Sequence, residues 1–458
     1  MDGWERRTAW TTIVVLYLST VTWSAHLRVT EPRDAQIDLY LDGVHVRPDG
    51  TVGHLPAGSA AQYQPDSRVL AEDDDPRALA IAAEQRAWLA EGTVPGAGTA
   101  YEDLVTGALL DIRTLTGATF TAGAEPGLPG AAVAGWTGRW RYVWPRDSAF
   151  VAVALARTGH GEDALAVLGF LEEVQEEDGL FEARYLPDAS GPPDERGTQL
   201  DGLGWVLWAS GAVLDALDGD ARATALAELR PLLDRTADRV LALTARPPHL
   251  PPASPDYWEV AEDQVTLGTA APMLAGLEAA ARLYADAGES HRAASLSARA
   301  AQVRTAVEEA FGPRGYTRYS ESTLGNTLRG RDGRDAATAM LLPPFVTEPL
   351  AGAEAAWLAS AGEMARPAGG LAPGAGWKPD GISWTPQTSL YALTAASTGH
   401  VEEATDWLDW LAEHRTSSGA IPEKVLADGS PAAVAPLTWS SANVVLAVAA
   451  LEEAGALP

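Results

Sequence analysis

Residues 418–430 read SGAIPEKVLADGS, and residues 178–190 read DGLFEARYLPDAS. Each phrase follows a helical stretch that opens with Thr-Gly-His, at 398–400 and at 158–160. Sliding the chain by 240 residues lays residues 144–190 on residues 384–430 without a gap. A Trp, the Thr-Gly-His, several Ala and Leu, a Gly and the Leu-x-Asp-x-Ser ending coincide. Self-similarity at a fixed offset marks a repeated supersecondary unit, here helix–loop–helix.

Outward from the repeat, helical patterning dominates. Apolar or amphipathic runs recur at 77–91, 101–115, 148–157, 161–176, 201–217, 221–243, 264–287, 291–310, 351–361, 388–397, 401–414 and 440–454. Each keeps apolar residues at helical spacing between Gly, Pro or Asp boundaries. About twelve helices with almost no strand pattern between them predict an all-α fold over residues 76–458. Paired units arranged by a repeat predict an (α/α)6 barrel, a closed ring of six helical hairpins. Loops at one end of such a ring form a funnel, and loops on a rigid scaffold are where function concentrates. Glu423, a lone carboxylate in what reads as a turn between Pro422 and Lys424, would stand at that mouth. The aligned position in the other copy is Ala183.

Composition narrows the partners. The chain has 458 residues, 46% apolar, enough for one large domain or two to three average ones. A net charge of −29 repels phosphate backbones, so nucleic acid is not an expected partner. The same charge favours solubility and neutral or cationic ligands. Absence of cysteine excludes disulfides, thiolate metal sites and a cysteine nucleophile. The eight His are scattered and no Gly-rich phosphate loop is present, so no metal or cofactor is expected. Sixteen Trp against six Phe is an unusual ratio. Indole faces pack cores, and they also stack on sugar rings.

The N-terminus reads differently. Arg6 and Arg7 precede an uncharged run at 8–24. Positive charge ahead of an apolar run predicts that the rest of the chain is translocated. Trp23 stands where a cleavage site wants small residues, which favours an uncleaved membrane anchor over residues 1–26. A cleaved signal peptide and a buried helix are the other readings. Either of the first two places the protein outside the cytoplasm, membrane-anchored or secreted. Residues 27–75 are polar with short alternating pieces, and Asp49–Gly50 predicts a hairpin turn, so a small β-rich segment should lead into the barrel.

Three stretches carry chemistry. RWRYVWPRDSAF, 139–150, packs Trp144 beside Arg146 and Asp147 just ahead of a helix. The Arg–Asp pair could grip vicinal hydroxyls, or Asp147 could simply cap the helix. SPDYWEVAEDQ, 254–264, sets Glu259 after Trp258. A carboxyl kept partly from water by an indole suits proton donation, or it could be a helix-start glutamate placed for the dipole. IPEKV and then APLTWSSAN carry Glu423 and Trp439. Two carboxylates on opposite loops of one funnel are what glycosidic bond cleavage needs.

These motifs resemble those of the glucoamylase family, glycoside hydrolase family 15, which uses an (α/α)6 barrel. YVWPRDS resembles the family's Tyr-x-Trp-x-Arg-Asp-Ser, whose Arg and Asp hold the terminal sugar. QLDG at 199–202 resembles its Gln-x-Asp-Gly, and DYWE at 256–259 its Asp-Leu-Trp-Glu with the general acid. PEKV, DGSP and LTWS resemble the stretch with the general base. The resemblance covers roughly residues 101–451, with the motifs in family order. It implies an inverting, exo-acting α-glycosidase with Glu259 as acid and Glu423 as base. It further implies Arg146 and Asp147 as sugar clamp, with Tyr142, Trp144, Trp258, Trp377, Lys424 and Trp439 around the sugar. Departures are Val260 after the acid, GWKPDG with Trp377 and Lys378 where an Arg-Tyr-Pro-like segment is common, and Lys424 where Gln is frequent. The large N-terminal β-sandwich of many bacterial relatives does not fit ahead of this barrel. A trehalase or an envelope-glycan hydrolase would use the same carboxylates. A binding scaffold without catalysis would not need both.

Overall fold

The computed structural model describes residues 35–117, 127–323, 325–326 and 330–457. Helices dominate, and they sort by composition into two layers. One layer is α3 (Pro145–Arg157), α5 (Asp201–Asp215), α8 (Leu267–Asp286), α11 (Thr385–Thr398) and α13 (Thr438–Glu453). Their sequences are Ala-, Gly-, Val- and Leu-rich almost all round, and nearly every residue is buried. A helix apolar on all sides must lie inside. α3 packs on α5, α5 on α8, α11 on α13, and α13 back on α3. The remaining place, between α8 and α11, is filled by the 3-10 helix Ala336–Leu341. The ring of six inner elements is closed.

The outer layer is α2 (Glu102–Thr114), α4 (Gly161–Val174), α7 (Arg230–Leu243), α9 (Ser290–Phe311), α10 (Ala353–Met364) and α12 (Val401–Glu413). Each precedes an inner element in the chain, and all but α2, which is buried nearly all round in its second half, keep one face exposed. In α12, VEEATDWLDWLAE, the buried residues are Ala404, Leu408, Trp410 and Leu411. Outer and inner elements alternate through the chain, so the (α/α)6 barrel is present as expected. Close approach between α5 and α8 needs glycine. A side chain at Gly204 would fall on the carbonyl of Pro272, and one at Gly276 would lie 2.7 Å from Gly204 O.

Three sequence expectations shift. The 221–243 run is two helices, α6 (Gly219–Glu228) and α7, because Pro231 opens a new first turn. The 77–91 run is α1 (Pro76–Glu91), which lies outside the ring of twelve. The fourth inner element was missed. Its six residues, AATAML, sit between a capping Asp335 and Pro343–Pro344, too few turns to show a helical period.

The N-terminal segment does contain a hairpin, β1 (Gly43–Val46) against β2 (Val52–Leu55), turned at Asp49–Gly50 with Gly50 at φ +82. It is fastened to the barrel. The buried Asp42 carboxylate accepts from Ser417 Oγ at 2.7 Å, Ala60 N at 3.2 Å and Ser418 Oγ. Tyr40 N donates to Ala433 O at 2.7 Å, and Ala433 N to Asp38 O at 3.0 Å. The anchor expected over residues 1–26 lies outside the described residues. Among the described residues no helix is long and apolar enough to cross a membrane.

Candidate active site

The inner helices open one cavity at the end where α3, α11 and α13 start. Its volume is about 320 Å3. α3 supplies Arg146 and Asp147, with Trp144 just ahead of it. α11 supplies Pro386 and Gln387 behind Trp384, and α13 supplies Trp439. The loop before α8 supplies Trp258 and Glu259, and the loop before α13 supplies Glu423.

Arg146 is the floor of the site. Its side chain is 5% exposed, and its guanidinium lies 4.7 Å from the Trp439 ring centre. Nε donates to Asp147 Oδ1 at 3.0 Å. Nη1 lies 3.7 Å from Asp201 Oδ2, and Nη2 lies 3.5 Å from Glu259 Oε1. Burial pushes Asp147 up to about 6. Arg146 opposes this, and Glu259 and Glu423 both add to it. Asp147 is therefore within electrostatic reach of both glutamates. Burial likewise pushes Asp201 up to about 7, against the pull of Arg146. Asp147 lies inside the first turn of α3 and bonds to Arg146, not to an open helix end, so the capping reading fails.

Glu259 sits in a tight, strained turn. Its φ is +53, a left-handed conformation that costs a non-glycine residue about 1–2 kcal/mol. The turn is held from behind. Glu259 N donates to Asp256 O at 2.7 Å, and Trp258 N to Asp256 Oδ1 at 2.9 Å. Asp256 in turn accepts from Thr266 Oγ1 at 2.7 Å and from Arg318 at 2.9 Å. Arg318 is wholly buried and also holds Glu262 and Asp335, each at 2.8 Å. Its guanidinium covers the Trp258 ring at 3.9 Å. The sequence suggested that Trp258 shields the Glu259 carboxyl. Instead the carboxylate pairs with Arg196 and faces Arg146. Nor does Glu259 start a helix, since α8 begins at Leu267.

Glu423 is not in a free turn. It leads into β4 (Lys424–Val425), the middle strand between β3 (Ser383–Trp384) and β5 (Pro431–Ala432). Glu423 N donates to Val434 O at 2.8 Å, and Glu423 O accepts from Thr385 N at 3.0 Å. Strands this short carry too few residues to show alternation, so the ladder was invisible in sequence. The carboxylate accepts from Trp140 Nε1 at 3.3 Å and lies 3.1 Å from Lys424 Nζ. The Asp38–Tyr40 contacts to Ala433 brace this same loop from outside.

The internal repeat reappears as a pseudo-symmetric pocket. Trp144 and Trp384 are aligned positions, as are Asp147 and Gln387, and all four line the cavity. Val143 bridges Tyr185 as Ser383 pairs with Val425. Arg184 stands 5.1 Å over Trp144 as Lys424 stands 4.2 Å over Trp384. Trp258, Trp377 and Trp384 then meet edge to face at 4.9 and 5.6 Å, joining the Glu259 turn to the Glu423 strand.

Of the residues expected around a sugar, Trp144, Arg146, Asp147, Trp258, Glu259, Trp377, Glu423 and Trp439 line this one cavity. Tyr142 stands behind Trp144, at 6.3 Å between ring centres and under Arg184. Lys424 touches Glu423 and Trp384 instead of the wall itself. Sequence reading missed Arg139, Trp140, Arg184, Arg196, Trp384 and Gln387. For Trp384, Gln387 and Arg184 the repeat held the signal, because their aligned partners were already singled out.

The fold has solved counterparts. A bacterial glucoamylase complexed with acarbose superposes at TM-score 0.63 and 18% identity, covering 83% of this chain and 60% of its own. A wild-type glycosidase gives TM-score 0.60 at 22% identity over 81% and 99% of the two chains. Glucoamylase from Saccharomycopsis fibuligera gives 0.61 at 14% over 78% and 94%. The chain thus has the glucoamylase barrel, and it spans about 60% of the bacterial glucoamylase's length. No protein-family model matches the sequence, and no curated protein does.

Proposed function

We propose that the protein is an inverting, exo-acting α-glycosidase, most simply an α-glucosidase of glucoamylase type. The observation that carries this reading is that Glu259 and Glu423 enter one cavity from separate loops, with the Arg146–Asp147 clamp between them. In this reading Glu259 protonates the glycosidic oxygen as the bond to the anomeric carbon breaks. Glu423 takes a proton from a water that attacks the opposite face. Arg146 and Asp147 hold hydroxyls of the terminal sugar, and the buried position of this pair suits recognition of a chain end. The turn at Glu259 and the ladder at Glu423 fix both carboxylates before substrate arrives, so orientation is already arranged. Delivery outside the cytoplasm, anchored or secreted, belongs to the same proposal and rests on residues 1–26 alone.

Glu259→Gln and Glu423→Gln, assayed on maltose, isomaltose, trehalose and maltooligosaccharides, should each lower turnover by about 10²–10⁴-fold. An unchanged rate in either variant removes that residue from the chemistry. Which linkage is cut decides between glucoamylase and trehalase.

A further inference from the structure

The charge of this chain is distributed in an unexpected way. Among 33 basic residues only two are lysines, Lys378 and Lys424. Both stand at the barrel mouth, on the Glu423 side. Lys378 Nζ lies 5.4 Å from the ring centre of Trp377, and Lys424 Nζ lies 4.2 Å from that of Trp384. The two rings meet edge to face, so each lysine stands over one wall of an indole corner. β-pairing explains one of them, because Trp384 and Lys424 are direct cross-strand partners.

Arginines complete the pattern. Arg139, Arg146, Arg184 and Arg196 all line the cavity. The carboxylates around them are Asp147, Asp194, Asp201, Glu259 and Glu423. Cations therefore outnumber acids here, whereas the whole chain carries 33 basic against 62 acidic residues. Among the described residues neither Arg139 nor Lys378 is in an ion pair, and both are exposed. Unpaired cations at the mouth of a cleft present a local positive field to an anionic ligand even where the net charge of the protein is negative. An ammonium is also a compact, rotatable donor that can leave one oxygen for another more readily than a planar guanidinium fork.

We propose that the mouth binds a glycan bearing an anionic group, a carboxylate or a phosphate ester, on a sugar beyond the one cleaved. The sugar lies against Trp377, and the anion is held by Lys378, unpaired among the described residues, with Lys424 reaching it from its place beside Glu423. This rests on reading the cavity as a glycan site. It departs from the expectation that an acidic protein favours neutral or cationic ligands, because charges within a Debye length of about 8 Å act on a bound group and distant ones are screened.

Direct binding tests it without turnover. Calorimetric titration at low salt would compare glucose, glucuronate and glucose 6-phosphate on the whole protein and on Lys378→Gln and Lys424→Gln. At least one anionic sugar should bind about tenfold tighter than glucose, the worth of one charge-assisted hydrogen bond. Either glutamine variant should reduce that preference, Lys→Arg should keep most of it, and raised salt should shrink it. Whichever anion binds tighter identifies the group. Comparing preference ratios within one protein sample cancels any loss of folded material. Equal binding of all three sugars, or a preference that survives in both glutamine variants, overturns the proposal. If the preference is found but no glycoside is hydrolysed, the anionic subsite stands and the glycosidase reading falls.

Discussion

Asp201 shows how the site is tuned by single residues. It is buried at the start of α5, with Arg146 as the nearby cation. Its pKa rises to about 7, and that of Asp147 to about 6, from an ordinary 3.8. A carboxyl raised on folding takes up a proton as the chain folds. Its stabilising contribution is complete below about pH 4 and is lost as pH rises through the folded value. Asp201→Asn keeps a neutral group there at every pH. The melting temperature of Asp201→Asn relative to wild type should therefore climb between about pH 4 and pH 7. A flat difference across that window, followed by thermal melts, would show that Asp201 is ionised throughout. Residue-level legibility was uneven. Trp144, Arg146, Asp147 and Glu259 sit in dense polar–aromatic phrases and could be picked out, and Glu423 stood out as a lone carboxylate in the repeat. Arg196 and Arg318 stand in stretches with no pattern, and only the tertiary fold brings them to the Glu259 turn.

At the scale of elements, the barrel depends on a few close crossings and on the loops above them. The α5–α8 contact allows no Cβ at Gly204, which would meet the Pro272 carbonyl. Gly204→Ala should cost about 1–3 kcal/mol in a denaturant titration, the usual range for overpacking. No loss would mean the helices can part at that point. The loop bearing Glu423 depends on a more distant brace. Asp42 gathers Ser417, Ser418 and Ala60 beneath it. Asp42→Ala strips a buried carboxylate from several donors and should cost about 3 kcal/mol by the same titration. A cost near zero would show that the N-terminal hairpin merely rests on the barrel. Helical periodicity made the long elements legible, because a dozen or more residues repeat the same face. The 3-10 helix Ala336–Leu341 and the two-residue strands at the mouth are too short to repeat a face often enough to be seen, so only the folded chain reveals them.

Across the whole molecule, a repeat at an offset of 240 residues builds a pseudo-symmetric scaffold whose two copies place different groups at aligned positions, Asp147 against Gln387 and Ala183 against Glu423. Ala183 and Glu423 occupy aligned positions, and Glu423 lies on the cavity wall with Glu259. The surrounding pairs, Trp144 with Trp384 and Arg184 with Lys424, keep the same geometry on both sides. The ring closes because α13 packs back on α3, and the same closure delivers Trp439 to Arg146. Sequence could show the repeat and hence the ring, and closure of the ring brings both carboxylates to the wall of one cavity; their opposition across a bound sugar is what we propose. That opposition is the central claim, and the configuration of the first product tests it. Proton NMR of the anomeric signal during the first moments of hydrolysis of an α-linked glucoside should show β-glucose. Early α-glucose would mean retention and would contradict the pairing of Glu259 with Glu423 across an attacking water.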